Sequence, residues 1–147
     1  MNLQIYTDGA CINNPGIGGY AYAVYNDSQE ICMRNRGFEK FTTNNKMELT
    51  AVIEALKVVD KEYGLCNITV CSDSAYIVNC FNDGWLIKWM DNGWLNSKKQ
   101  PVLNRDMWET LNVLVNKMGV KFERVSRKDS RLKVVDKDAN LALKRVR

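Results

Sequence analysis

Three carboxylates stand where chemistry could be done. Asp8 follows the apolar run Leu3-Gln4-Ile5-Tyr6-Thr7, Glu48 sits near the start of a helical stripe, and Asp73 follows the run Asn67 to Ser72. The chain has 147 residues and no histidine. Ser-His-Asp and Cys-His nucleophiles, histidine-ligated zinc and histidine acid–base catalysis are thereby excluded. An enzyme of this composition works through carboxylates, lysines, hydroxyls or bound metal. Singly, each residue has a bland reading: Asp8-Gly9 is common turn punctuation, and Glu48 is spaced to cap a helix three residues after Asn45. Brought together, three carboxylates cannot all stay ionised without a compensating cation. All-oxygen ligands favour Mg²⁺ or Mn²⁺. Two such ions ~3.5–4 Å apart can activate a water and stabilise the leaving oxygen of a phosphodiester. The chemistry therefore points to phosphodiester hydrolysis.

The surrounding elements must place those groups side by side. Leu3 to Thr7 reads as a strand, which the glycines after Asp8 and Pro15 are expected to end. Gly19 to Tyr25 and Ile31 to Phe38 read as further strands of an antiparallel meander. A helix with Asn45 as N-cap carries Leu49, Val52, Ile53, Leu56 and Val59 on one face and ends at Tyr63-Gly64. Asn67 to Ser72 is a strand reached by a right-handed crossover, so it should lie parallel to the first. Asp8 and Asp73 would then emerge together at the carboxyl ends of neighbouring strands. A short helix spans 75–79, an amphipathic one 105–117, and Val120 to Val125 is the last strand. Ser126 to Lys133 reads as a polar, basic loop, and a final helix starts near Val134–Asp136 and runs to about Arg145. The expected architecture is α/β: a five-stranded mixed sheet, three strands antiparallel and the others parallel, flanked by helices in one domain over residues 1–147.

One segment stands apart. Trp85, Trp89 and Trp94 fall within Gly84 to Trp94, with Lys88 among them and Lys98-Lys99 just after. Tryptophans here could staple a protruding loop to the body, or form an aromatic and basic platform on nucleic acid. A net charge of +4 is compatible with such a partner without indicating it. No apolar run approaches the ~20 residues that span a bilayer, and no signal peptide is visible. The five cysteines lack C-x-x-C spacing and read as reduced thiols of a cytoplasmic protein. No further apolar stripe remains once the core is assigned, so a monomer is expected.

Several stretches resemble the type 1 ribonuclease H family. Tyr6-Thr7-Asp8-Gly9-Ala10-Cys11, with Asn14-Pro15-Gly16, is similar to its first motif, and Thr42-Thr43-Asn44-Asn45-Lys46-Met47-Glu48-Leu49 to its second. Ser72-Asp73-Ser74-Ala75-Tyr76 is similar to the third, and the tryptophan segment resembles the bacterial handle. The resemblance covers nearly the whole chain. It implies endonucleolytic cleavage of the RNA strand of RNA–DNA hybrids, with Mg²⁺ or Mn²⁺ as cofactor, two ions per site. It implies that Asp8, Glu48 and Asp73 are catalytic metal ligands. The fourth carboxylate of the family lies on the final helix in a Val/Ala-Asp-x-Leu-Ala-Asn pattern. Val135-Asp136-Lys137-Asp138-Ala139-Asn140 matches it with Asp136 as ligand and Asp138 as runner-up, in the place of the leucine. Cys11, Asn14, Asn44 and Asn45 would meet the minor groove and read 2′-hydroxyls, and Thr43 would help hold a DNA phosphate. Trp85, Lys88, Trp89, Trp94, Lys98 and Lys99 would contact nucleic acid through the handle. Two features depart from the family. The loop histidine is replaced by Ser126-Arg127-Lys128-Asp129-Ser130-Arg131, and Asp91-Asn92 stand where the handle is commonly basic. Two competing readings follow: a module that holds hybrid without cutting it, and a nuclease or integrase of the wider superfamily acting on DNA.

Overall fold

Period-2 alternation along the first strand sorts the molecule into layers. Leu3 and Ile5 face one side of the sheet and Tyr6 the other, as alternate residues of a strand must. The computed structural model describes residues 1–144. Its strands are β1 (Asn2–Cys11), β2 (Gly16–Tyr25), β3 (Ile31–Thr42), β4 (Asn67–Ser72) and β5 (Val120–Arg124). Its helices are α1 (Asn44–Tyr63), α2 (Ala75–Asn82), α3 (Trp85–Asp91), α4 (Arg105–Met118) and α5 (Ser130–Lys144). The sheet order is β3-β2-β1-β4-β5. β1, β2 and β3 pair antiparallel, while β4 pairs parallel with both β1 and β5, the mixed sheet expected. The larger core lies between the sheet and α1, α2 and α4, around Leu49, Leu56, Ile77, Trp108 and Leu111. The smaller core lies under α5, where Leu132, Val135 and Ala139 meet Tyr6, Ala21, Ala23 and Tyr25.

Several boundaries differ from the sequence reading: β2 begins at Gly16 and not at Gly19, β3 runs on to Thr42 past Phe38, and α2 extends to Asn82 beyond residue 79. Four further differences have a local reason. β1 does not stop at Asp8; it pairs with β2 through Gly9↔Tyr20 to Cys11↔Gly18. Gly9 serves close packing, not a turn: a Cβ there would stand 2.7 Å from the Glu48 backbone nitrogen. Second, α1 is capped by Thr43, whose Oγ1 accepts from the Lys46 N–H at 3.2 Å. Asn45 lies inside the helix, so Glu48 caps nothing. Third, the tryptophan segment is not a loop throughout, because residues 85–91 form α3. Fourth, α5 begins at Ser130 because Asp129 Oδ1 accepts from the N–H groups of Arg131 and Leu132, at 2.8 and 3.2 Å. The expected end near Arg145 lies outside the described residues; the helix is described to Lys144. This earlier start puts Asp136 in the second turn and removes any favourable effect of the helix N-terminus on it.

Candidate active site

The parallel pairing of β1 with β4 ends at Tyr6↔Cys71, and two residues further on stand Asp8, still within β1, and Asp73, just past the end of β4. α1 crosses just there, seated on Gly9, and directs Glu48 at the same point. Asp8, Glu48 and Asp73 each present a carboxylate oxygen within 4.8 Å of the others. Asp8 and Glu48 are buried, at 6% and 3% exposure. The Gly9 N–H donates to Glu48 Oε1 at 2.9 Å and to Asp8 Oδ1 at 3.0 Å. Glu48 Oε2 is buried and has no hydrogen-bond partner among the described residues. Burial pushes the Asp8 carboxyl up to about 7; the adjacent Glu48 carboxyl opposes this, while the charges of Asp73 and Asp136 act with burial. Glu48 is raised well above the ordinary range by burial first and by the charge of Asp8 second, against the opposing Gly9 N–H.

These groups fit a divalent cation. Three carboxylates converge, one of them with an orphaned buried oxygen, and burial without counter-charge disfavours their ionised forms. Arg127 Nε approaches Asp73 Oδ2 at 3.5 Å, but its side chain is 91% exposed and adds little. A stability test follows from the sign of the Asp8 shift. Between its unfolded value near 3.8 and about 7, the folded state binds more protons than the unfolded one. In EDTA, stability toward urea should therefore fall as pH rises from 5 to 8, and the fall should be shallower in Asp8→Asn. Parallel pH profiles for the two proteins would contradict the assignment.

The site cavity measures about 650 Å³ and is lined by Asp8, Glu48 and Asp73 together with Cys11, Asn44 and Asp136. Asn14, Thr43 and Asn45 line a neighbouring groove of about 620 Å³ with Lys46 and Asn104. The two are joined where the Asn44 N–H donates to Asn14 Oδ1 at 3.0 Å. Trp85, Lys88 and Trp89 line a third, separate groove. Trp94 is buried beneath the Arg105 guanidinium, 5.0 Å from its ring centroid, and packs 6.2 Å from Trp89. Its indole staples the segment to the body. Lys98 and Lys99 are exposed on the following loop and line none of these three cavities. Asp138 points away from the carboxylates. It is buried and bound side-on by Arg34 of β3, Nε–Oδ2 2.7 Å and Nη2–Oδ1 3.1 Å, with Arg36 at 3.9 Å. Arg124, Arg127 and Asn140 also line the main cavity, and the sequence reading did not name them as site residues. Arg124 ends β5 opposite Ser72, a register visible only once the strands are paired.

A sheet in this order, with an acidic cavity where β1 and β4 part, defines a ribonuclease H-like protein. The chain superposes on the crystal structure of RNase H1 from Halobacterium salinarum NRC-1 with a TM-score of 0.78, at 21% identity over 99% of both chains. It superposes on LC11-RNase H1, crystallised in complex with an RNA/DNA hybrid, with a TM-score of 0.79, at 21% identity over 98% of both. The RNase H family model matches residues 1–139. Ribonuclease H of Caldicellulosiruptor saccharolyticus is 46% identical over 124 residues, 84% of this chain and 81% of that protein. Ribonuclease H of Syntrophomonas wolfei is 50% identical over 124 residues, 84% of this chain and 82% of its own length. The chain belongs to the RNase H family and is an enzyme of that kind.

Proposed function

We propose that this enzyme cuts the RNA strand of RNA–DNA hybrids internally, with Asp8, Glu48, Asp73 and Asp136 holding two Mg²⁺ or Mn²⁺ ions. The observation that carries this reading is the convergence of three carboxylate oxygens within 4.8 Å beside the unpartnered, buried Glu48 Oε2. When bound, the ions neutralise that charge and supply an activated water for attack on a phosphodiester. The rest is work for the protein's own groups. Gly9 N–H holds Glu48 Oε1, which leaves Oε2 free to ligate. Thr43 Oγ1 accepts the Lys46 N–H, and its own proton remains available to a phosphate oxygen. Asn14, Asn44 and Asn45 bridge the cavity and the adjoining groove, a span suited to minor-groove 2′-hydroxyls. LC11-RNase H1, a neighbour in fold, was crystallised on RNA/DNA hybrid, which supports the choice of substrate. Among the described residues no helix is long and apolar enough to cross a membrane. All five cysteines are free thiols, in keeping with a reducing, cytoplasmic compartment; we read the protein as a monomer there.

Labelled hybrid, duplex DNA and duplex RNA, each with Mg²⁺, Mn²⁺ or EDTA, test the proposal directly. Cleavage of hybrid RNA alone, abolished by EDTA and restored by either ion, is expected. Cutting of duplex DNA would favour the wider-superfamily reading, hybrid retention without cutting the binding-module reading, and full activity in EDTA would end the two-metal scheme. The exposed lysines at 88, 98 and 99 give a further expectation. Their joint replacement by alanine should weaken hybrid binding and flatten its salt dependence by up to about three phosphate contacts. An unchanged slope would leave the segment a purely structural one.

A further inference from the structure

Asp136 is the most exposed of the four carboxylates that line the cavity. Asp8 and Glu48 are buried and both accept from the Gly9 N–H, whereas Asp136 is exposed on the second turn of α5. One neighbouring side chain restrains it. Asn140, one turn further on and half-buried, donates from Nδ2 to Asp136 Oδ1 at 3.3 Å and to the Asp136 main-chain oxygen at 2.9 Å. Residues four apart on a helix stack on one face, so the amide spans the side chain and the carbonyl of the same residue. An amide nitrogen has two N–H donors for these two acceptors. Bridging both limits rotation of the carboxylate about its side-chain bonds. Asn140 acts from a fixed base. Ala139 is fully buried, and a Cβ on Gly19 would overlap its carbonyl oxygen, so the α5 backbone rests directly on β2. The amide is also uncharged: a lysine here would neutralise Asp136 and a carboxylate would repel it.

We propose that Asn140 is a positioning residue that keeps the Asp136 carboxylate turned toward Asp8 and the cation site. This rests on the reading of Asp136 as the fourth ligand. Ligating carboxylates are held by hydrogen-bonding partners whose loss lowers activity or metal affinity by tenfold or more.

The test combines hybrid kinetics with calorimetric titration of Mn²⁺ into the full-length, substrate-free protein. Asn140→Ala should lower kcat about tenfold with KM for hybrid unchanged, and weaken Mn²⁺ binding several-fold. Asn140→Leu, close in size, uncharged and without the donor, should do the same and guards against a simple packing defect. In an Asp136→Asn background, Asn140→Ala should cause no further loss of Mn²⁺ affinity. Wild-type kcat and Mn²⁺ affinity in Asn140→Ala, with turnover lost in Asp136→Asn, would overturn the positioning role alone. The same fractional loss of Mn²⁺ affinity in both backgrounds would overturn it as well. Wild-type turnover in Asp136→Asn would instead bring down the ligand reading, and this one with it.

Discussion

Asp8→Asn and Asp73→Asn are each expected to lower hybrid cleavage by on the order of 10³-fold or more in kcat, since a cation clamp supplies several kcal/mol to the transition state. Each change keeps the shape of the side chain and removes one anionic oxygen from a group whose members lie within 4.8 Å. Hybrid binding should survive or tighten, because the cavity becomes less negative toward phosphate. The Asp8 change should also stabilise the metal-free protein above pH 7, where burial makes its ionised form costly. Single-turnover cleavage and filter binding on the same preparations separate the two effects. Loss of binding in step with loss of cleavage would mean that these aspartates shape the groove and do not carry the chemistry.

Much of this site could be read from residue types alone. Asn67 to Ser72 is β4 without adjustment, and Gly64 ends α1 as read. The two aspartates follow from those strands, because a crossover helix forces β1 and β4 parallel. What escaped the sequence depends on partners far along the chain. Gly9 looks like turn punctuation until α1 is laid on it, and its true use is the missing Cβ beside the Glu48 backbone. Asp129 looks like one more polar residue of a basic loop until its carboxylate is seen on two backbone N–H groups. α3 has only seven residues, too few for a helical period to outweigh three tryptophans in a row of candidates for stacking. Trp94, grouped with them by composition, is separated by burial.

Asp136 and Asp138 should part company under mutation. They sit two residues apart on α5, where side chains do not share a face. Asp136 lines the cavity, while Asp138 turns to β3 and is held by Arg34. Asp136→Asn should lower turnover strongly, and Asp138→Leu should leave it largely intact. A charge in the place of an apolar leucine looked awkward in the sequence; the bidentate arginine is what makes it tolerable. The pair is asymmetric, with Arg34 47% exposed and the Asp138 side chain 9%. Removing Asp138 lets Arg34 rehydrate, so stability should change by less than about 1 kcal/mol. Removing Arg34 strands a buried carboxylate with only Arg36 at 3.9 Å, so Arg34→Ala should cost roughly 2–3 kcal/mol. Urea unfolding and hybrid turnover on all three variants decide the matter. A dead Asp138→Leu beside an active Asp136→Asn would reverse the ligand assignment.

The same arginine has a second consequence, because β3 is an outer strand of the sheet. Among the described residues its far side has no neighbouring strand, and it carries Ile31, Phe38 and Phe41 exposed along twelve residues. A long outer strand with apolar side chains invites a strand from another copy, the first step of aggregation. Arg34, Arg36, Glu39 and Lys40 interrupt it with charge, and register shifts at Gly16/Gly18 and Val24/Tyr25 disturb its ladder with β2. Arg34 thus guards the solubility of the chain from the strand whose side chain secures α5, and a variant that loses it both loosens that helix and leaves the edge less protected against self-association.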